Sequence, residues 1–149
     1  MPHRKAAALS CRELYRMEPF QQIALIRAGV PATFAKQLLR SLDGKGIGLG
    51  DRPKVTCQSL ARLASADRPL CQAASERVVE VARLVGQVEA MVDESGDPDG
   101  FNSTEWLSRW LDHPLPALAD RRPVEYLDTI KGTRFISELL SQMQSGAYA

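Results

Sequence analysis

Between Gln72 and Val92 the residues Val78, Val81, Ala82, Val85, Val88 and Val92 return at steps of three and four, and Leu84 and Met91 widen the stripe. That period belongs to an α-helix with one apolar side. At about 1.5 Å per residue, some twenty residues span about 30 Å, the width of a small domain. Glu76, Arg77, Glu80, Arg83, Gln87 and Glu89 fall on the other side and read as its solvated face. Gly86 weakens such a helix unless another backbone comes close to it. The rest of the chain must therefore pack around this helix. Its apolar side serves as core, or as a surface shared with a second copy.

The other segments also read as helices. Phe20–Ala28 lies between Pro19 and Gly29, and residues 32–42 follow with Phe34, Ala35, Leu38, Leu39 and Leu42 at helical spacing. Thr56 is a suitable N-cap for a short helix to Ala64, which Asp67-Arg68-Pro69 ends. Residues 93–102 read as a loop, after which Asn102 and Glu105 make a capping box for a helix carrying Trp106, Leu107, Trp110 and Leu111. His113-Pro114-Leu115-Pro116 is a stiff connector, because proline fixes φ. Pro123 suits the start of a short helix. Asp128 or Thr129 then caps a last helix from Ile130 to about Gln144, with Gly132 leaving room for a neighbouring backbone and Gly146 as its stop. No segment alternates like a strand, so the fold class is all-α.

A chain of 149 residues with 44% hydrophobic and 25% charged content is neither disordered nor fibrous. No apolar run approaches the roughly 18 residues of a membrane span. The N-terminus, Met1 to Leu9, starts like a signal peptide, but Arg12 and Glu13 cut the apolar stretch short, so it reads as a frayed extension. Cys11, Cys57 and Cys71 are odd in number and lack CxxC spacing, which points to reduced thiols in a cytoplasmic protein. Charge is divided along the chain: residues 1–75 carry 12 Lys/Arg against 5 Asp/Glu, and residues 76–149 carry 7 against 13. A basic half can attract nucleic acid, or it can dock on the acidic half; the division alone does not choose.

Motifs of chemistry are missing. Gly44, Gly46, Gly48 and Gly50 alternate, so they form no GxGxxG, and Lys45 is not followed by Ser or Thr; the stretch reads as a connector. The loop from Asp93 has Pro98 where a calcium loop needs glycine, and Thr104 where it needs glutamate. His113 has no nucleophile at a recognisable spacing, and Asp120, Glu125 and Asp128 are neighbours in sequence only. The chain reads as a binding protein with no catalytic residues, metal, cofactor or small-molecule substrate. Its polar-faced helix 56–64 in a basic region fits the recognition helix of a helix-turn-helix, and equally any small surface helix.

The C-terminal segment carries a resemblance. Trp110-Leu111, Pro116-Ala117-Leu118, Arg122-Pro123-Val124-Glu125-Tyr126-Leu127-Asp128-Thr129, Gly132, Leu139-Leu140 and Gly146-Ala147-Tyr148 occur in that order. This resembles the toxin-binding domain of the Xre/MbcA/ParS antitoxins over residues 105–149, except that Ala119-Asp120 stands where glycine is usual. Phe20–Leu42, with Gly29-Val30-Pro31-Ala32, resembles the helices that precede the family's Cro/Xre-like helix-turn-helix, and Thr56–Leu70 sits where the recognition helix would lie. The glycine-rich stretch 44–50 departs from the pattern.

The resemblance implies a type II antitoxin for a RES-domain toxin, an enzyme that degrades NAD⁺ or transfers ADP-ribose from it. It also implies a homodimer that represses its own operon. The runner-up is a helical DNA-binding repressor or adaptor without a toxin. The implied layout is an N-terminal extension (1–19), a helix-turn-helix-like region (20–71), a connecting or dimerisation helix (72–92) and a toxin-binding domain (93–149). Toxin contacts are then expected at Trp110, Leu118, Arg122, Tyr126, Leu127, Thr129, Gly132, Met143, Gly146, Ala147, Tyr148 and Ala149. DNA contacts are expected at Lys54, Thr56, Gln58, Ser59, Arg62 and Arg68. A tail of small residues with one aromatic ring can enter a cleft.

Overall fold

A computed structural model describes residues 9–42, 65–66, 68–96 and 99–146 of the chain. Within them lie α1 (Cys11–Arg16), α2 (Pro19–Ala28), α3 (Ala32–Ser41), α4 (Gln72–Ser95), α5 (Ser103–Leu111) and α6 (Ile130–Ser145), with 3₁₀ turns at Pro116–Leu118 and Pro123–Tyr126. The described residues contain no strand, so the fold is all-α. The glycine-rich stretch and the helix expected at 56–64 lie outside the described residues.

Helix α4 is the axis of the molecule, with α1, α2, α5 and α6 all packed on it. Val78, Val79, Val81, Ala82, Leu84, Val85 and Val88 are all buried. Its apolar side is thus closed within one chain and is core, as the spacing implies. The buried side chains form one cluster that runs from Leu14 to Leu140 and joins the N-terminal helices to the C-terminal ones.

The N-terminal extension is more ordered than its sequence suggests. Residues 11–16 are helical, Ser10 caps them through the Glu13 amide, and Leu14 is fully buried. The reason is Gly86. An ideal Cβ there would sit 2.2 Å from the Cys11 carbonyl oxygen and 2.7 Å from the Tyr15 Cβ. The missing side chain lets the α1 backbone lie directly on α4, and Arg12 locks it by ion pairs to Asp93 (3.1 Å) and Glu89 (3.7 Å). Burial against α4, with Glu89 nearby, pushes the Cys11 thiol up to about 12.

Helix α4 runs three residues beyond the expected Val92, to Ser95, where Gly96 ends it in a left-handed conformation. Polar anchors hold those residues: Arg12 on Asp93, and the Gln144 amide on the Glu94 carboxylate. Two further contacts set the position of α3. Leu70 N donates to Val30 O (2.8 Å), and the buried Ser75 hydroxyl accepts from Val30 N (2.8 Å). At α5 the Asn102 side chain accepts from the Glu105 amide (3.0 Å), while the Glu105 carboxylate turns to Arg109 one turn on, so only half of the expected capping box forms.

Gly86→Ala should destabilise the protein by about 1–3 kcal/mol, because the added methyl meets backbone. In a chain lacking residues 1–17 the same change should be neutral or stabilising, since alanine is the better helix former; urea denaturation of the four chains measures both. The raised Cys11 value predicts slow thiol labelling at pH 8 while the exposed Cys71 reacts freely. Because the folded-state value lies above the unfolded one, the protonated thiol's contribution to stability is complete below pH 9 and is lost as pH rises towards 12.

Candidate functional site

The last helix starts at Thr129, whose side chain accepts from the Gly132 amide (2.9 Å). Gly132 has no room for a side chain: a Cβ there would stand 1.9 Å from the Tyr126 carbonyl oxygen. The first turn of α6 therefore rests on the backbone of the Pro123–Tyr126 turn. Arg122 leads into that turn, its amide donating to the Glu125 carboxylate (2.9 Å) and its guanidinium meeting Asp112 (3.4 Å).

The solvated face read for α4 is in part a polar seam with α6. Glu80 and Gln87 are buried, with 6% and 3% exposure. Glu80 pairs with Arg83 (3.2 Å) on its own helix and with Arg134 (3.3 Å) on α6. The Gln87 amide nitrogen donates to Ser137 O (2.9 Å) and Ser141 Oγ (3.0 Å), and Ser137 Oγ donates back to Gln87 Oε1 (2.7 Å). Arg77 donates to the Asp128 carbonyl at one end, and Gln144 donates to Glu94 at the other. The Glu80 carboxylate and both ends of the Gln87 amide thus find partners, and losing one such partner costs about 1–3 kcal/mol. Thus α6 is tethered along its length, and its outward row of Lys131, Phe135, Glu138 and Gln142 is exposed to solvent.

The expected toxin-contact residues divide into two groups. Trp110, Leu118 and Leu127 are buried in this chain's own core. They shape the surface from beneath. Tyr126 and Met143 are half-buried against that core, and Arg122, Thr129 and Gly146 are exposed. Trp106 and Trp110 stack with ring centres 6.0 Å apart. Phe135, absent from the sequence-based set, is 41% exposed and meets the edge or face of Tyr126 at 5.9 Å. Phe135 is the one aromatic residue of α6, and its helical position away from Ile136, Leu139 and Leu140 was its only signal. Ala147, Tyr148 and Ala149 lie outside the described residues. Gly146, at φ 74°, ends α6.

The Ala119-Asp120 pair keeps the backbone that glycine would favour. Both residues are left-handed, at φ 54° and 63°. Hydrogen bonds from Asp120 N to Leu115 O (2.9 Å) and from Leu115 N to Arg121 O (3.1 Å) hold the turn shut. An L-residue in this conformation costs about 1–2 kcal/mol, less for aspartate.

Of the expected DNA contacts, Lys54, Thr56, Gln58, Ser59 and Arg62 lie outside the described residues. Arg68 is exposed, and its carbonyl accepts from the Ala32 amide at the start of α3. Among the described residues no three His, Cys, Asp or Glu groups stand together as a metal site. No described helix is long and apolar enough to cross a membrane.

Residues 99–146 match the antitoxin Xre/MbcA/ParS C-terminal toxin-binding domain. The match begins just before α5 and ends at Gly146, so it covers the tryptophan helix, both 3₁₀ turns and α6. A relative from Sphingobium sp. (strain YBL2), described as a Prs ADP-ribosylating antitoxin, is 41% identical over 138 residues, which is 93% of this chain and 87% of the relative. That likeness extends through the N-terminal helices as well. The chain belongs to the Xre/MbcA/ParS antitoxins, and its α5–α6 unit is the toxin-binding domain of that family.

Proposed function

We propose that this antitoxin neutralises a RES-domain toxin by placing α6 and the tail beyond Gly146 in the entrance of the toxin's active site. The observation that carries the reading is the seam between α4 and α6. It holds one side of the last helix rigidly and leaves Phe135, Tyr126 and the outward polar row available to a partner. Aromatic side chains held in place are the usual anchors of such contacts. An acidic C-terminal half, 7 Lys/Arg against 13 Asp/Glu, suits a basic cleft made for the pyrophosphate of NAD⁺. The relative's description includes ADP-ribosylation, which supports transfer of ADP-ribose as the reaction held in check. The antitoxin itself catalyses nothing and works in the cytoplasm.

Operator binding is the second part of the reading. The basic N-terminal half, with Gln58, Ser59 and Arg62 at the bases and Lys54 and Arg68 on phosphates, would repress the operon. A homodimer suits a two-fold operator. Since the apolar side of α4 is closed within the chain, the exposed Phe20 (69%) and Ile23 (46%) of α2 are the surface offered to a second copy.

Mixing toxin with the full chain or with a chain lacking Gly146–Ala149, and following NAD⁺ loss, checks the block. The truncation should weaken inhibition by about tenfold or more, equivalent to about 1.4 kcal/mol; equal inhibition by both chains would refute the plug. Gly132→Ala, which displaces the Pro123–Tyr126 turn, should also weaken toxin binding, read by calorimetry. Replacing Lys54 and Arg62 by alanine should weaken a promoter gel shift and flatten its salt dependence.

A further inference from the structure

Among the described residues that match the toxin-binding domain, two large apolar side chains are exposed, Phe101 and Phe135. Phe101 stands in the loop before α5, whereas Phe135 is on a helix and is fixed from below. The Tyr126 carbonyl fills the space where Gly132 lacks a side chain, which sets the Tyr126 backbone against α6. The Tyr126 ring then meets the Phe135 ring at 5.9 Å, with the planes 63° apart. A ring held in this way loses little rotamer freedom when a partner covers it. Charge of opposite sign flanks it on the same face, Lys131 four residues before and Glu138 three residues after. The two lie about 10 Å apart along the helix axis, too far to pair with each other. Among the described residues neither has an ion-pair partner, whereas Arg134, beside Phe135 in sequence, is engaged by Glu80.

We propose that the row Lys131–Phe135–Glu138 selects and anchors the toxin, and that this task is separate from the block made by the tail: Phe135 enters an apolar pocket of the toxin that has an acidic group beside Lys131 and a basic group beside Glu138. The proposal rests on the toxin reading above and divides its work between two parts of α6 and the tail. Binding energy concentrates in a few rigid, well-buried anchors, often aromatic. Flanking charges add little affinity, but they steer the encounter and penalise a surface with the opposite order of charge. The row therefore distinguishes one toxin from another, while occupation of the cleft depends on the chain that follows Gly146. The toxin is the occupant because the row lies inside the segment that matches the toxin-binding domain. A second copy laid antiparallel presents the same order of charge. One exposed ring per copy offers it far less apolar area than the core of a stable homodimer contains.

The test uses the full chain and its cognate toxin, with affinity and association rate read at several salt concentrations and NAD⁺ loss read at saturating antitoxin. Phe135→Ala should weaken affinity about thirtyfold or more, the range of an anchor residue, yet still inhibit completely at saturation, because the tail is intact. Lys131→Glu with Glu138→Lys keeps the net charge and should slow association about tenfold at low salt, an effect that fades as salt rises. All three side chains are exposed, and thermal melts verify that both variants fold. If the unaltered chain binds and inhibits the toxin and both variants match it in affinity and rate, the row is wrong while the toxin reading stands. If the unaltered chain does not bind the toxin, that reading falls and the row falls with it. If Phe135→Ala binds tightly but fails to inhibit at saturation, Phe135 belongs to the block and the division is overturned. If the variants lose self-association and keep toxin affinity, the row meets a second copy and the proposal is overturned.

Discussion

Helix α4 can be buried on nearly every side only because the polar groups of one side find partners on α6. A solitary glutamate or glutamine inside a core is costly. Here Glu80 is met by two guanidiniums, and Gln87 uses both ends of its amide on Ser137 and Ser141. The opposite side of α4 carries valines and the bare backbone of Gly86, on which α1 lies. One side is selected by apolar area and backbone proximity, the other by matched hydrogen bonds. Hydrophobic contact alone would let α6 slide or rotate; the pairing of particular groups sets its register.

Much of the fold was legible because the signals are local. The valine period gave α4, Thr129 and Gly146 bounded α6, and the bare positions Gly86 and Gly132 both proved to be places where another backbone arrives. What stayed hidden depends on contacts distant in sequence. Nothing in the spacing of Glu80 and Gln87 tells a solvated face from a buried seam, because their partners stand about fifty residues later. Helix α1 was hidden for the same reason: its six residues are too few to fold alone and are held by α4.

The toxin-binding domain was legible as a motif before any of its surface was visible. The family residues Trp110, Leu118 and Leu127 lie inside the chain, so the resemblance marks a scaffold as much as a contact. Phe135 is the reverse case: no motif carries it, yet it stands beside Tyr126 on the outside. The Ala119-Asp120 turn shows how far a scaffold tolerates sequence change. Its hydrogen bonds and the buried Leu118 keep a left-handed backbone without the glycine that makes such a backbone cheap.

The continuity of the buried cluster from Leu14 to Leu140 has a consequence for how the two ends of the molecule communicate. A protein with separate cores can lose one activity and keep the other. Here a lesion that loosens the first helix uncovers the same α4 that positions the last, so the described helices are expected to lose stability together. Thermal damage or a protease that attacks the amino-terminal end is therefore expected to weaken the carboxy-terminal end as well.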